Sequence, residues 1–178
     1  MAFGQYNLSR IQTLQPTLQP LAQALIQRAK EQGIDIEVVQ AYRSPEAQDQ
    51  LLTSGAGVTK APGLLSYHNY GLAFDVVPKD YVNMKDWNPT GLHWATLGNI
   101  GESLGLEWGG RWSTPDRPHF QIPSAAAPIR ELKAYWEKFQ KIMPVEISPA
   151  AGAAGVIIVI ALAWVFLIKP ALEDRGIL

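Results

Sequence analysis

The chain has 178 residues with 15 basic and 16 acidic side chains, for a formal charge of −1. That length suits one compact domain plus an appendage, and the composition lacks the basic excess of a nucleic-acid binder. There is no cysteine, so neither a disulfide nor a thiolate metal site is available.

Met1 to Arg10 offers no apolar run of the length that a secretory signal needs. Between Ile11 and Gln32, Leu14, Leu18, Leu21, Ala22, Leu25, Ile26 and Ala29 fall at helical spacing from Pro16 onward. With Gly33 as a stop, the pattern predicts a helix over about 17–32. Asp35 to Gln40 reads as a short β-branched strand. It leads through Ala41-Tyr42-Arg43 into Ser44-Pro45-Glu46, where Ser as N-cap and Pro at the first helical position open a helix to about Leu52. Thr53 to Leu65 is a Gly-containing loop without the spacing of a phosphate-binding P-loop.

Leu72 to Val77 is a strand stopped by Pro78, apolar on both faces except at Asp75. Lys79 to Pro89 is a polar loop that does not fit a calcium-binding template. Leu92 to Leu104 is an amphipathic helix with Leu92, Ala95, Leu97, Ile100 and Leu104 inward, ended by Gly105. His93 on this helix is an ordinary surface or half-buried histidine. Ala125 to Met143 is a second such helix, carrying Ile129, Leu132, Tyr135, Trp136, Phe139 and Ile142.

The chemistry gathers around Ser66 to Pro78. A carboxylate inside a buried run costs several kcal/mol unless it is paired or bound to a metal. His68 lies where the chain enters the strand of Asp75, and Gly71 between them permits a tight bend. Downstream, Asp116-Arg117-Pro118-His119-Phe120 brings a second histidine beside a second carboxylate. Two imidazoles and one carboxylate, from His68, Asp75 and His119, leave a fourth position for water, the pattern of a catalytic zinc site. A similar set holds ferrous iron in oxygenases, but there the first His and the carboxylate are separated by one residue, and here by six. Trp108 and Trp112 are candidate walls of the cleft, and Ser66 a candidate contact to substrate or to a metal ligand.

Ser-x-His-x-x-Gly-x-Ala-x-Asp followed by Asp-x-Pro-His-Phe resembles the zinc peptidases that cut bacterial cell-wall peptides, related to the D-alanyl-D-alanine carboxypeptidases. Gly105-Leu106-Glu107-Trp108-Gly109-Gly110-Arg111-Trp112 is similar to the L-alanyl-D-glutamate endopeptidase branch, which includes many phage endolysins. The resemblance covers roughly residues 5–123. It implies Zn2+ at His68, Asp75 and His119, a peptidoglycan stem peptide as substrate, and Asp116 as general base. Glu107 is a reserve base, although its place in Leu106-Glu107-Trp108 favours a structural or substrate-contact role. The resemblance extends to Tyr42-Arg43-Ser44 and Gln48, which makes Arg43 a candidate for the oxyanion or a substrate carboxylate, against the alternative of a surface salt bridge. D,D-carboxypeptidase action and a non-catalytic wall-binding module remain as alternatives.

These readings give an α+β domain over about 1–145, monomeric, with a small antiparallel sheet carrying the zinc site and helices around it. The strand of Asp75 is expected to pair near the strand beginning at Pro118–Phe120. Residues Ile147 to Ile168 hold 22 positions without a charge, and a helix over about 20 residues spans the roughly 30 Å hydrocarbon core. This predicts a transmembrane helix over 147–169 and a short tail over 170–178. Arg130, Lys133, Lys138 and Lys141 before the span outnumber Lys169 and Arg175 after it. The expectation is a single-pass protein of a host inner membrane, its catalytic domain cytoplasmic until a partner such as a holin opens the bilayer.

Overall fold

The computed structural model describes residues 5–55, 59–79, 92–142 and residue 170. Two helices, α1 (Gln5–Ile11) and α2 (Gln19–Glu31), precede strand β1 (Ile36–Gln40) and helix α3 (Pro45–Thr53). A 3-10 turn at Tyr67–Tyr70 leads into β2 (Ala73–Pro78). Then follow α4 (Leu92–Ser103), β3 (Glu107–Trp108), a second 3-10 turn at Gly109–Arg111, β4 (His119–Gln121) and α5 (Ile129–Ile142). The four strands form one antiparallel sheet in the order β1-β2-β4-β3. The α+β architecture and the pairing of the Asp75 strand with the strand of His119 are as the sequence predicts.

Register decides what each face of this sheet carries. Phe74 stands opposite Phe120, which stands opposite Trp108. One residue along, Asp75 faces His119, and Gln121 faces Glu107. Side chains alternate between faces along a strand, so one face receives three aromatic rings and the other a polar row. The rings stack across the strands, Phe74 on Phe120 at 5.9 Å and Trp108 on Phe120 at 6.5 Å between centroids. A register shift between Val38 and Gln40 brings Gln40 opposite Asp75.

The aromatic face belongs to the core, together with Ala22, Leu25, Ile26 and Ala29 of α2, Leu97 of α4, and Val38 and Val76 of the strands. The predicted apolar stripe of α2 is the buried one. Ser44 caps α3 as expected, its hydroxyl accepting from Ala47 N at 3.1 Å. Helix α1 has no counterpart in the sequence reading. Its Asn7 accepts from Val38 N at 2.9 Å and donates to the Ile36 carbonyl at 3.4 Å, and Arg10 donates to the Val38 carbonyl. These bonds occupy backbone groups on the outer edge of β1 that would otherwise be open to another strand.

The expected inner-membrane location is overturned. Among the described residues no helix is long and apolar enough to cross a membrane. Helix α5, with 14 residues, is about 21 Å long against a hydrocarbon core of roughly 30 Å, and it carries Arg130, Glu131, Lys133, Glu137, Lys138 and Lys141. The stretch 147–168 on which that expectation rested lies outside the described residues, as does most of the predicted loop after Lys79.

Helix α4 meets the aromatic face through glycines. A Cβ on Gly98 would lie 2.1 Å from Trp108 Cε3, and one on Gly101 would lie 2.4 Å from Phe120 Cε1. Replacing a helical Gly by Ala raises helix propensity by about 1 kcal/mol, whereas overpacking against rigid rings costs about 1–3 kcal/mol. Gly98→Ala is therefore expected to lower the unfolding free energy, as measured by denaturant titration. A gain in stability would show that the helix stands further from the sheet than this.

Candidate metal centre

His68 is held by a turn that is tied down on every side. The turn ends at Gly71, whose φ of 66° is left-handed and whose missing Cβ would stand 3.1 Å from the Thr13 carbonyl. Asn69 accepts from Leu64 N at 3.0 Å and donates to the Arg43 carbonyl at 2.8 Å. Tyr67 and Tyr70 donate their hydroxyls to the carbonyls of Ala127 and Leu64, at 2.7 and 2.9 Å. Within this frame His68 Nδ1 lies 2.7 Å from the Ala41 carbonyl. A carbonyl can only accept, so Nδ1 carries the proton, and Nε2 faces Asp75 Oδ1 at 3.3 Å.

His119 arrives by strand register, directly across from Asp75. Its Nδ1 lies 3.0 Å from Asp75 Oδ1, and its Nε2 lies 2.9 Å from Gln121 Oε1. Gln121 in turn donates its amide to Glu107 Oε1 at 3.2 Å. Each imidazole thus has its outer nitrogen engaged by an oxygen acceptor and its inner nitrogen turned to the same carboxylate oxygen. When the rings are neutral, the inner nitrogens and that oxygen are all acceptors facing one another. A cation between them resolves the conflict.

The inner atoms of His68, Asp75 and His119 all lie within 4.8 Å of one another. A tetrahedral metal with bonds of about 2.0–2.1 Å holds its ligand atoms about 3.3 Å apart, and the two nitrogen–oxygen distances here are 3.3 and 3.0 Å. The donor set, its spacing and the hydrogen bonds behind it fit a metal ion. Among the described residues it is the one group of three or more such side chains brought together in this way.

The electrostatics follow from burial and pairing. Burial alone would raise the Asp75 carboxyl, but the His68 charge and the His119 hydrogen bond outweigh it and hold Asp75 well below the usual carboxylate range. His119 is pushed down by burial and more strongly up by Asp75, with a net rise. Asp116 is solvent-exposed yet raised, first by partial desolvation and then by the charge of Asp75, against the pull of His119, His68 and Arg43. Such a carboxyl holds its proton more readily than an unperturbed one.

Arg43 sits half-buried, lowered by desolvation and supported by the charges of Asp75 and Asp116. Its guanidinium donates to Gln48 Oε1 at 2.8 Å. Gln48 is fully buried and spends its own amide on Thr59 Oγ1 and the Ala61 carbonyl, at 2.9 and 2.8 Å. Trp112 is 36 % exposed, its ring 5.1 Å from that of His119. Trp108 is 6 % exposed and lies in the core, donating its indole N–H to the Arg117 carbonyl at 2.8 Å. Ser66 begins the His68 turn without a side-chain capping bond. Glu107 accepts from Trp112 and Gln121 on one oxygen and from Ser124 N and Oγ on the other. Against the opposing effect of burial, those donors keep it below its ordinary pKa, so it is occupied as an anchor. Gln121 and Ser124 were not singled out in the sequence. The His119-x-Gln121 alternation, which puts both on one strand face, is the signal that could have found Gln121.

With this geometry in view, comparison with known proteins defines the class. A family profile described as D-alanyl-D-alanine carboxypeptidase matches residues 59–122. The chain is 35 % identical over 122 residues to the peptidoglycan L-alanyl-D-glutamate endopeptidase CwlK of Bacillus subtilis, a match that takes in 61 % of this chain and 73 % of that protein. It is 31 % identical over 121 residues to an L-alanyl-D-glutamate peptidase of a Listeria phage, of whose length it spans 40 %. The crystal structure of the Serratia marcescens L-Ala D-Glu endopeptidase ChiX shares the fold, with a TM-score of 0.55 at 23 % identity over 72 % of this chain and 94 % of that one. The protein is a metallopeptidase. It belongs to the family of D-alanyl-D-alanine carboxypeptidases and L-alanyl-D-glutamate endopeptidases.

One backbone contact sets the position of Asp116. Asp116 N donates to the Gly109 carbonyl at 2.9 Å, and a Cβ on Gly109 would stand 2.5 Å from Asp116 O and 3.2 Å from His119 Cβ. Gly109→Ala is expected to displace the Asp116 loop and to lower peptidase kcat/KM about 100-fold, the scale of a 1 Å misplacement. Unchanged kinetics would mean that the loop position does not matter to the reaction.

Proposed function

We propose that this protein is a zinc-dependent hydrolase of peptidoglycan stem peptides, that it cuts the L-Ala–D-Glu bond, and that it serves as a phage endolysin in host cell lysis. The catalytic unit falls within residues 1–145. The observation that carries the reading is the convergence of His68, Asp75 and His119 with the outer nitrogen of each imidazole engaged. The printed activities of the Bacillus and Listeria phage relatives support the bond assignment, and the phage relative supports the lytic role.

His68, Asp75 and His119 would hold the ion. Bound there, zinc supplies Lewis acidity that makes water a nucleophile near neutral pH. Asp116 takes the proton of the attacking water and returns it to the leaving amine, a role suited to an exposed carboxyl of raised pKa. Arg43, poised by Gln48, offers a planar fork of donors to the developing oxyanion or to a substrate carboxylate. Trp112 beside His119 gives the substrate an apolar wall.

A second reading, D,D-carboxypeptidase action, draws on the description of the matched family profile. Mass spectrometry of muropeptides released from purified peptidoglycan separates the two. A new D-Glu amino terminus is the expected product, and release of free D-Ala would overturn the bond assignment.

Asp116→Asn is expected to retain zinc and to lose two to four orders of magnitude in kcat, the usual worth of general base catalysis. Near-wild-type turnover would move the proton transfer to another group. His68→Ala is instead expected to lose the metal. A chelator should abolish wild-type activity, and zinc added in excess should restore it.

A further inference from the structure

Glu107, Gln121, His119 and Asp75 form one continuous row on the polar face of the sheet, set by the pairings Glu107 with Gln121 and Asp75 with His119. Its outer end cannot be reversed. The Glu107 carboxylate bears no hydrogen and accepts from four donors, so the group that Gln121 turns toward it must be the amide NH2. The other end of the same planar amide, Oε1, is then fixed on His119 Nε2 at 2.9 Å. An oxygen acceptor there requires Nε2 to bear a proton. Gln121 is 3 % exposed, so water has little access to replace that acceptor.

We infer that Gln121 is a positioning residue which, anchored by Glu107, holds the His119 proton on Nε2 and keeps Nδ1 available to the metal. The inference rests on the zinc reading above. It accounts for a glutamate beside the site with every oxygen occupied, and for a buried glutamine that touches no reacting atom. His68 obtains the same control from the Ala41 carbonyl at 2.7 Å. For His119 a side-chain relay does what the backbone does for His68. Hydrogen-bond partners behind a metal-bound imidazole are typically worth 10–100-fold in metal affinity or activity.

The test uses the full chain, zinc-loaded and labelled with 15N-histidine. Long-range 1H–15N spectra of the wild type are expected to show His119 protonated at Nε2 and unprotonated at Nδ1. A His119 proton on Nδ1 would overturn the inference with no variant needed. Gln121→Met keeps the volume and removes the acceptor. It is expected to weaken zinc binding about 10–100-fold in competition with a fluorescent chelator, with the near-ultraviolet circular dichroism of the wild type and faster exchange of the His119 ring proton. A folded Gln121→Met protein that binds zinc within twofold of wild type would also overturn it. Should that variant fail to fold, Glu107→Gln serves, because it removes the constraint that aims the Gln121 amide. It is expected to weaken zinc binding severalfold, and unchanged affinity would reject the anchor. If the wild type itself binds no zinc, the zinc reading fails, which is a different result from a wild type and variants that bind it equally.

Discussion

Everything at the site depends on one carboxylate that the fold makes costly. Asp75 sits in the middle of a strand whose neighbours Phe74 and Val76 are fully buried. A charge there is tolerable only with partners at bonding distance. Both partners are imidazoles, at 3.3 and 3.0 Å from the same oxygen. His68 comes from a turn braced by Asn69, Tyr67 and Tyr70, and His119 from the strand across. With neutral rings, an ion between them would meet three acceptors at a shared point.

The sheet solves two packing problems with one register. Moving any strand by a single residue would exchange its faces, sending Phe120 into the metal site and His119 into the core. The stacked rings of Phe74, Phe120 and Trp108 resist that slip on one side, while glycines of α4 let the helix close down on them. The juxtaposition of Asp75 and His119 is thus guarded by an aromatic ladder on the opposite face of the sheet. Trp108 belongs to this ladder, whereas Trp112, four residues on, faces His119.

Much of this was legible in the sequence because its signals are local. Ser44-Pro45 announces a helix start, and the stripe of α2 recurs at helical spacing. Asp75 stands out because a lone carboxylate interrupts an apolar strand. What escaped has a nonlocal cause. Helix α1 is recognisable only once Asn7 is seen bonding to β1, at a sequence separation of 29 to Ile36 and 31 to Val38. The place of Glu107 between Leu106 and Trp108 pointed to a structural or substrate-contact role over that of a reserve base, but nothing in its neighbours reveals Ser124, which is 17 residues away and donates twice to one oxygen. Strand β3, with two residues, is too short to show alternation. The apolar composition of 147–168 suggested a membrane span, and the described helices, short and charged, give that location no support.

The division of labour between sheet and loop has a chemical consequence. His68, Asp75 and His119 sit on elements locked by register and side-chain hydrogen bonds, while Asp116 rides a connection held by two backbone bonds, Asp116 N to Gly109 O and His119 N to Asp116 O at 3.3 Å. Asp116 is open to solvent there. Its carboxyl is nevertheless raised, first by desolvation and then by the charge of Asp75. Arg43 feels the charges of both Asp75 and Asp116, so its guanidinium stands among the carboxylates of the centre. An ion held by His68, Asp75 and His119 would add positive charge on the side of Arg43, the sign that would stabilise an oxyanion as it forms.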